Sequence, residues 1–135
     1  MKFNLHHISI YSNNIIKVKN FYYNLFKFKN VHTFKDKKGK IYGYFLYINK
    51  SNFIEILNAQ KKIKKKNINF HFCLILQKNF YVFYEKCKKR GILLEDELPR
   101  RGRTDKVLHF KIIDPDGNIC EIHLNEKLNK LYRYN

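Results

Sequence analysis

The chain has 135 residues, 44% of them in the AVILMFWYC set and 16% aromatic, which is enough apolar material for one compact core and excludes intrinsic disorder despite 28 Lys and Arg. Its formal net charge of +17 favours anionic partners, although Lys, Asn, Ile, Tyr and Phe are abundant together, a bias that low-GC coding also produces. No apolar run reaches the length of a membrane span, and Met1-Lys2-Phe3-Asn4 leads straight into a strand-like run. Cys73, Cys87 and Cys120 can neither pair fully nor match a zinc spacing, so the expectation is a cytoplasmic protein with no membrane association.

Leu5 to Tyr11 reads as a buried strand. Side chains alternate along a strand, so Leu5, His7, Ser9 and Tyr11 share one face and His6 points to the other. Asn13 or Asn14 is placed to cap a helix whose Val18, Phe21, Tyr22 and Leu25 recur at helical spacing. Val31 to Phe34, Ile41 to Ile48 and Phe53 to Leu57 follow as strands, separated by turns at Asp36-Lys37-Lys38-Gly39 and Asn49-Lys50-Ser51-Asn52. The last of these strands puts Phe53, Glu55 and Leu57 on one face.

Gln60 to Asn69, with KKIKKKN at its centre, reads as a solvated connector rather than a phosphate-binding patch. Beyond it the same order returns. Phe70 to Leu76 is an apolar strand carrying His71, with Cys73 and Ile75 on the same face, and Asn79 is placed to cap a helix with Phe80, Phe83, Tyr84 and Cys87 at helical spacing. Arg90-Gly91 ends that helix, glycine tolerating the left-handed conformation required there. Leu93 to Glu95 reads as a short strand and Pro99 to Asp105 as a basic loop. Val107 to Leu124 then holds two strands joined by Asp114-Pro115-Asp116-Gly117-Asn118, a tight turn in which Pro pre-sets one backbone angle and Gly supplies the other.

Strand, helix and three strands therefore occur twice, which argues for duplication of one βαβββ unit. The expected fold is α+β, a single domain of two paired βαβββ modules forming a curled sheet around a metal-binding cavity. Module one covers residues 1–58, a linker 59–69, module two 70–124 and a C-terminal tail 125–135.

Four polar residues occupy matching places in the two halves: His7 and His71 on the first strands, Glu55 and Glu121 on the last. An acid flanked by apolar strand residues, as in FIEIL and ICEIH, must be paired, protonated or bound to a metal. Taken singly, such a His is more often a hydrogen-bonded core residue and such a Glu an edge-strand charge. Agreement of four at repeat-related places favours a metal site. Two His and two carboxylates, with water completing the shell, suit a six-coordinate divalent ion such as Ni, Zn, Co or Mn. His6, His32, His109 and His123 lack this symmetry and fall outside the set.

The segments HHISI, NFYYNLFKF, FIEIL, FHFCLIL and DPDGNICEIHL together resemble the vicinal oxygen chelate superfamily, which includes glyoxalase I, the fosfomycin-resistance enzymes and the bleomycin-resistance proteins. The resemblance implies paired modules, a homodimer, and a metal at the module interface held by His7, Glu55, His71 and Glu121. Lys27 stands where the family commonly has Gly after the first helix. With both acidic ligands present, the pattern is closest to glyoxalase I, whose metal stabilises an enediolate while a carboxylate, here Glu121 or Glu55, moves a proton between adjacent carbons of a thiol hemithioacetal.

Expected substrate contacts are Ser9, Tyr11, Asn58, Arg101 and Arg103, with Lys66 and Arg100 as further positive charge for an anionic or thiol-containing small molecule. Tyr11 stands near the place where glyoxalase I carries an Arg, and Asn58 falls one residue short of its Asn. The alternatives are a fosfomycin-modifying thiol transferase or hydrolase, which resembles this chain at Ser9 and in the EIHLNEKLNKL ending, and a metal-free ligand-sequestering protein of the bleomycin-resistance type. A nucleic-acid binder would exploit the charge, but no recognition motif is present.

Overall fold

Each half of the chain folds as a four-stranded mixed sheet with a helix on one face in the computed structural model, which describes residues 1–62, 70–94 and 98–125. The chain divides into two compact units, Met1–Ile68 and Asn69–Asn135. The expected linker, from residue 63 onward, and all but the first residue of the expected tail lie outside the described residues.

Unit 1 contains β1 (His7–Ser12), α1 (Ile15–Phe26), β2 (Lys29–Lys35), β3 (Ile41–Asn49) and β4 (Asn52–Asn58). The sheet order is β1-β4-β3-β2, with β1 parallel to β4 and the other pairs antiparallel. Alternation sends Ile10, Ile54, Ile56, Tyr44 and Leu46 to one face, where they are buried with Ile15, Val18, Tyr22 and Leu25 of α1. Burying each large aliphatic side chain contributes roughly 1.5–3 kcal/mol, which far exceeds any local propensity in this helix. Asn14 caps α1, its Oδ1 accepting from the Lys17 N–H at 3.0 Å. The helix stops at Lys27, whose φ of 63° is left-handed and whose N–H donates to the Tyr23 carbonyl at 2.8 Å. His6 departs from the expected alternation. It lies one residue before β1, its carbonyl accepting from the Phe53 N–H at 3.0 Å, and its ring folds back to meet His7 and Phe53 at centroid distances of 5.2 and 5.0 Å, on the face that alternation denies it.

Unit 2 contains β5 (His71–Leu76), α2 (Phe80–Lys89), β6 (Arg100–Arg101), β7 (Leu108–Ile113) and β8 (Ile119–Leu124), in the order β5-β8-β7-β6 with β5 parallel to β8. Phe72, Phe110, Ile112, Cys120 and Ile122 form the buried side with Phe80, Tyr84 and Cys87 of α2. Two local expectations differ from what forms. The edge strand is Arg100–Arg101, inside the expected basic loop; of the short strand expected over Leu93 to Glu95, Leu93 forms an isolated bridge to Ile112 and Glu95 lies outside the described residues. Asn79 is the N-cap of α2, but its φ of 61° and ψ of 35° are left-handed and its side chain makes no capping bond. Gly91 has the expected left-handed φ, 63°.

The Asp114–Asn118 turn is fixed by one side chain. Asp114 Oδ1 accepts from the N–H groups of Asp116 and Asn118 at 2.9 and 2.8 Å, and its Oδ2 accepts from the Asn118 amide at 2.8 Å. Gly117, at φ 91°, supplies the backbone angle that a side chain would strain. This clamp sets the register of β7 against β8 and so the position of Glu121.

Candidate metal centre

In both units the candidate ligands stand on the sheet face opposite the helix. In β1 and β4 the parallel register sets His7 beside Phe53 and Ser9 beside Glu55; in β5 and β8 it sets His71 beside Ile119 and Cys73 beside Glu121. Residues two apart on a strand share a face, so each unit presents a His and a Glu on neighbouring strands, one step out of register. The side chains close that step. His7 Nε2 lies 3.7 Å from Glu55 Oε2, and His71 Nε2 lies 3.1 Å from Glu121 Oε2. Both imidazoles are about half exposed, at 40% and 45%, whereas the carboxylates retain only 18% and 13%, so the open nitrogens stand over sheltered acids.

The two carboxylates are held differently. Glu55 Oε2 accepts a hydrogen bond from the Ser9 hydroxyl, the oxygen that also faces His7. Glu121 is gripped on both oxygens: Oε1 pairs with His123 Nε2, and Oε2 faces His71 and, at 3.7 Å, the Lys111 ammonium. Burial works to raise the Glu121 pKa, but the His123 hydrogen bond and the charges of His109, His123 and Lys111 outweigh it and hold the carboxyl below its usual value. Cys73, beside Glu121, has its thiol pKa pushed up to about 12 by desolvation and then by the Glu121 charge.

The substrate-contact candidates scatter more widely. Ser9 is engaged with Glu55. Tyr11 shares the His7 face and is exposed. Asn58 pairs with Ser12 and has the parity of Ile54 and Ile56, on the helix side of the sheet end. Arg101, on the β6 edge, donates from its guanidinium to the Lys106 carbonyl at 2.7 Å, and Arg100 pairs in register with His109. Arg103 is exposed in the turn after β6, and Lys66 lies outside the described residues.

Sequence reasoning passed over His123, His109 and Lys111. His123 is two residues beyond Glu121 and therefore on its face; His109 pairs with His123 in the antiparallel register, its ring 5.4 Å away and its Nδ1 3.2 Å from the Val107 carbonyl. Period-two alternation was the signal that places His123 beside Glu121. The demand for a partner in the other half removed it.

Among the described residues no helix is long and apolar enough to cross a membrane. The chain matches no curated protein. Among solved structures it is similar to a mutant of the fosfomycin resistance protein FosX from Listeria monocytogenes, complexed with Mn(II) and 1S,2S-dihydroxypropylphosphonic acid, at 21% identity and a TM-score of 0.69 over 98% of this chain and 100% of that one. It is also similar to a lactoylglutathione lyase from Agrobacterium tumefaciens (16% identity, TM-score 0.65, 95% of each chain). An integron cassette protein from the mobile metagenome of V. cholerae gives 21% identity and a TM-score of 0.68 over 93% of this chain and 98% of that one. At these identities the likeness is one of fold. Residues 4–122, which run into β8 and include the four repeat-related candidate residues, match one family throughout, and the chain belongs to the glyoxalase/bleomycin resistance protein/dioxygenase superfamily.

Proposed function

We propose that this chain is a divalent-metal-dependent lyase of the glyoxalase I kind, isomerising the hemithioacetal of a 2-oxoaldehyde and a thiol, as in methylglyoxal detoxification. The observation that supports it most strongly is the recurrence of one His–Glu pair on equivalent strands of both units, each on the face away from the helix. A single such pair is an ordinary ion pair of small energetic consequence. Two copies of it make a divided ligand set.

On this reading His7, Glu55, His71 and Glu121 share one ion of the Ni, Zn, Co or Mn class in a protein that works as a homodimer. Adjacent ligands of a six-coordinate ion with bonds of about 2.1 Å stand about 3 Å apart. The His71–Glu121 spacing of 3.1 Å already meets that value, and the 3.7 Å of His7–Glu55 is within reach of a small side-chain rotation. When bound, the ion supplies Lewis acidity to two neighbouring substrate oxygens.

The chain's own residues supply the proton transfer. Glu121, gripped on both oxygens, is the anchor; Glu55, held through one oxygen by Ser9 and His7, has the freedom to swing and carry the proton between adjacent carbons. Tyr11 on the same face, with Arg100 in register with His109 and Arg103 in the turn after β6, would receive the anionic or thiol-bearing end of the substrate, Arg101 having the helix-side parity of Leu108. The test is turnover of the methylglyoxal–glutathione adduct by chelator-treated protein to which Ni, Zn, Co or Mn is restored. Turnover is expected for the unaltered chain and loss by at least a hundredfold for Glu121→Gln with the fold intact; full activity in that variant would remove Glu121 from the mechanism.

One observation favours a second reading. Lys111 beside Glu121 and Ser9 two residues after His7 suit a phosphonate, the class of ligand in the FosX complex. Metal-dependent consumption of fosfomycin, with thiol or water, in place of hemithioacetal turnover would select it.

A further inference from the structure

The repeat supplies an internal control for the residues around the two glutamates. Ser9 and Cys73 hold the same place, each in register with the acid of its own unit, Glu55 or Glu121. Leu57 and His123 hold another, two residues beyond that acid. Gly43 and His109 hold a third, the former paired with Leu57 and the latter with His123. A sheet of this topology thus forms with a hydroxyl, an aliphatic side chain and a glycine at these places, so its packing demands neither a thiol nor an imidazole. Unit 2 nevertheless carries both.

Their reactive atoms converge. Cys73 Sγ, a Glu121 carboxylate oxygen and a His123 ring nitrogen all lie within 4.8 Å of one another. Within that set His123 Nε2 already contacts Glu121 Oε1, while Glu121 Oε2 is turned toward His71 and Lys111. Cys73 is the exposed cysteine of the three; Cys87 and Cys120 are buried. Sulfur, imidazole and one carboxylate oxygen are a donor set for a borderline or soft divalent ion. Four-coordinate zinc takes Cys sulfur at about 2.3 Å and His nitrogen or carboxylate oxygen at about 2.0–2.2 Å, with water in the fourth position.

We propose that unit 2 holds a thiolate-ligated divalent cation, of the zinc or cobalt class, on Cys73 Sγ, His123 Nε2 and Glu121 Oε1. The site differs in its ligands from the four-residue set proposed above and shares only Glu121 with it, through the oxygen that does not face His71. It needs nothing from unit 1. On binding, the Cys73 thiol gives its proton to solvent and both bonding electrons of the former S–H bond remain on sulfur for donation to the ion. His123 binds as the neutral imidazole with its proton on Nδ1. Thiolate and carboxylate together balance the ion's charge, and the Lys111 ammonium is left on the Oε2 side.

Cobalt(II) is the probe, because thiolate ligation adds a near-ultraviolet charge-transfer absorption that nitrogen and oxygen ligands do not produce. Chelator-treated, reduced full-length protein is titrated with Co(II) alone. Cys73→Ser installs what Ser9 already is in the equivalent strand, and His123→Leu what Leu57 already is, so both variants are expected to fold, with circular dichroism as the check. The proposal expects the charge-transfer band in the unaltered chain, its loss in Cys73→Ser, at least a tenfold weaker Co(II) affinity in His123→Leu, and an undiminished band in His7→Ala and Glu55→Gln. Cobalt bound without the band overturns the thiolate site while leaving the four-residue set standing. A band that disappears in His7→Ala also overturns it, by making Cys73 a further ligand of the shared ion. Retention of the band with loss of hemithioacetal turnover at every metal would sink the proposed function and leave this site intact.

Discussion

Lys27 carries backbone strain that its side chain repays only in part. Its φ of 63° is a conformation that costs an L-residue roughly 1 kcal/mol, and its ammonium lies 5.6 Å from the Tyr23 ring centroid, an exposed contact of small worth. Lys27→Gly is expected to stabilise unit 1 by no more than about 0.5 kcal/mol in urea unfolding, glycine's added freedom in the unfolded chain taking back much of the relief. Glu121 makes a different residue-scale prediction. Its folded carboxyl lies below the usual value of 4.5, so its contribution to stability is complete above that pH and is lost as pH falls through the lower folded value. Stability measured against pH should show a shallower acid limb in Glu121→Gln than in the unaltered chain. An unchanged limb would mean that the His123 bond does not hold the carboxylate in solution.

At the scale of elements, the strands and helices were legible wherever alternation or helical spacing ran unbroken, because burial of one face decides both. FIEIL and FHFCLIL gave β4 and β5 with their faces correctly assigned, and Val18, Tyr22 and Leu25 gave the buried stripe of α1. Misreadings fell where pairing is edge-on or the chain leaves the ladder. Arg100–Arg101 has no apolar pattern, being a short edge whose pairing to β7 fixes it; His6 stands just outside β1, its carbonyl bonded to the Phe53 N–H, and its free-ended ring escapes alternation. Gly43 in β3 shows a packing constraint that no motif announces. A Cβ there would stand 2.7 Å from the Ile56 carbonyl oxygen and 2.8 Å from Leu57 Cδ2. Since a backbone oxygen cannot step aside cheaply, Gly43→Ala should destabilise unit 1 by about 1–3 kcal/mol, and a neutral result in thermal or urea unfolding would show that β3 and β4 sit further apart than described.

The molecule as a whole is two copies of one design that have drifted apart at their sites. Duplication made the candidate ligands legible, since His7, Glu55, His71 and Glu121 recur at equivalent places. It also hid what is peculiar to unit 2: Cys73, Lys111, His109 and His123 crowd one carboxylate where unit 1 has Ser9, Phe45, Gly43 and Leu57. The net charge of +17 suits an anionic substrate, and screening gives it a signature, a KM that rises with ionic strength while kcat holds steady. The proposed sharing of one ion by His7, Glu55, His71 and Glu121 is tested by the binding of Mn(II), which prefers oxygen and nitrogen donors to sulfur, to chelator-treated protein by titration calorimetry. A shared ion predicts one Mn(II) per chain, with the affinity falling at least tenfold in Glu55→Gln and equally in Glu121→Gln. Undiminished binding in Glu55→Gln, or no binding in the unaltered chain, would contradict it.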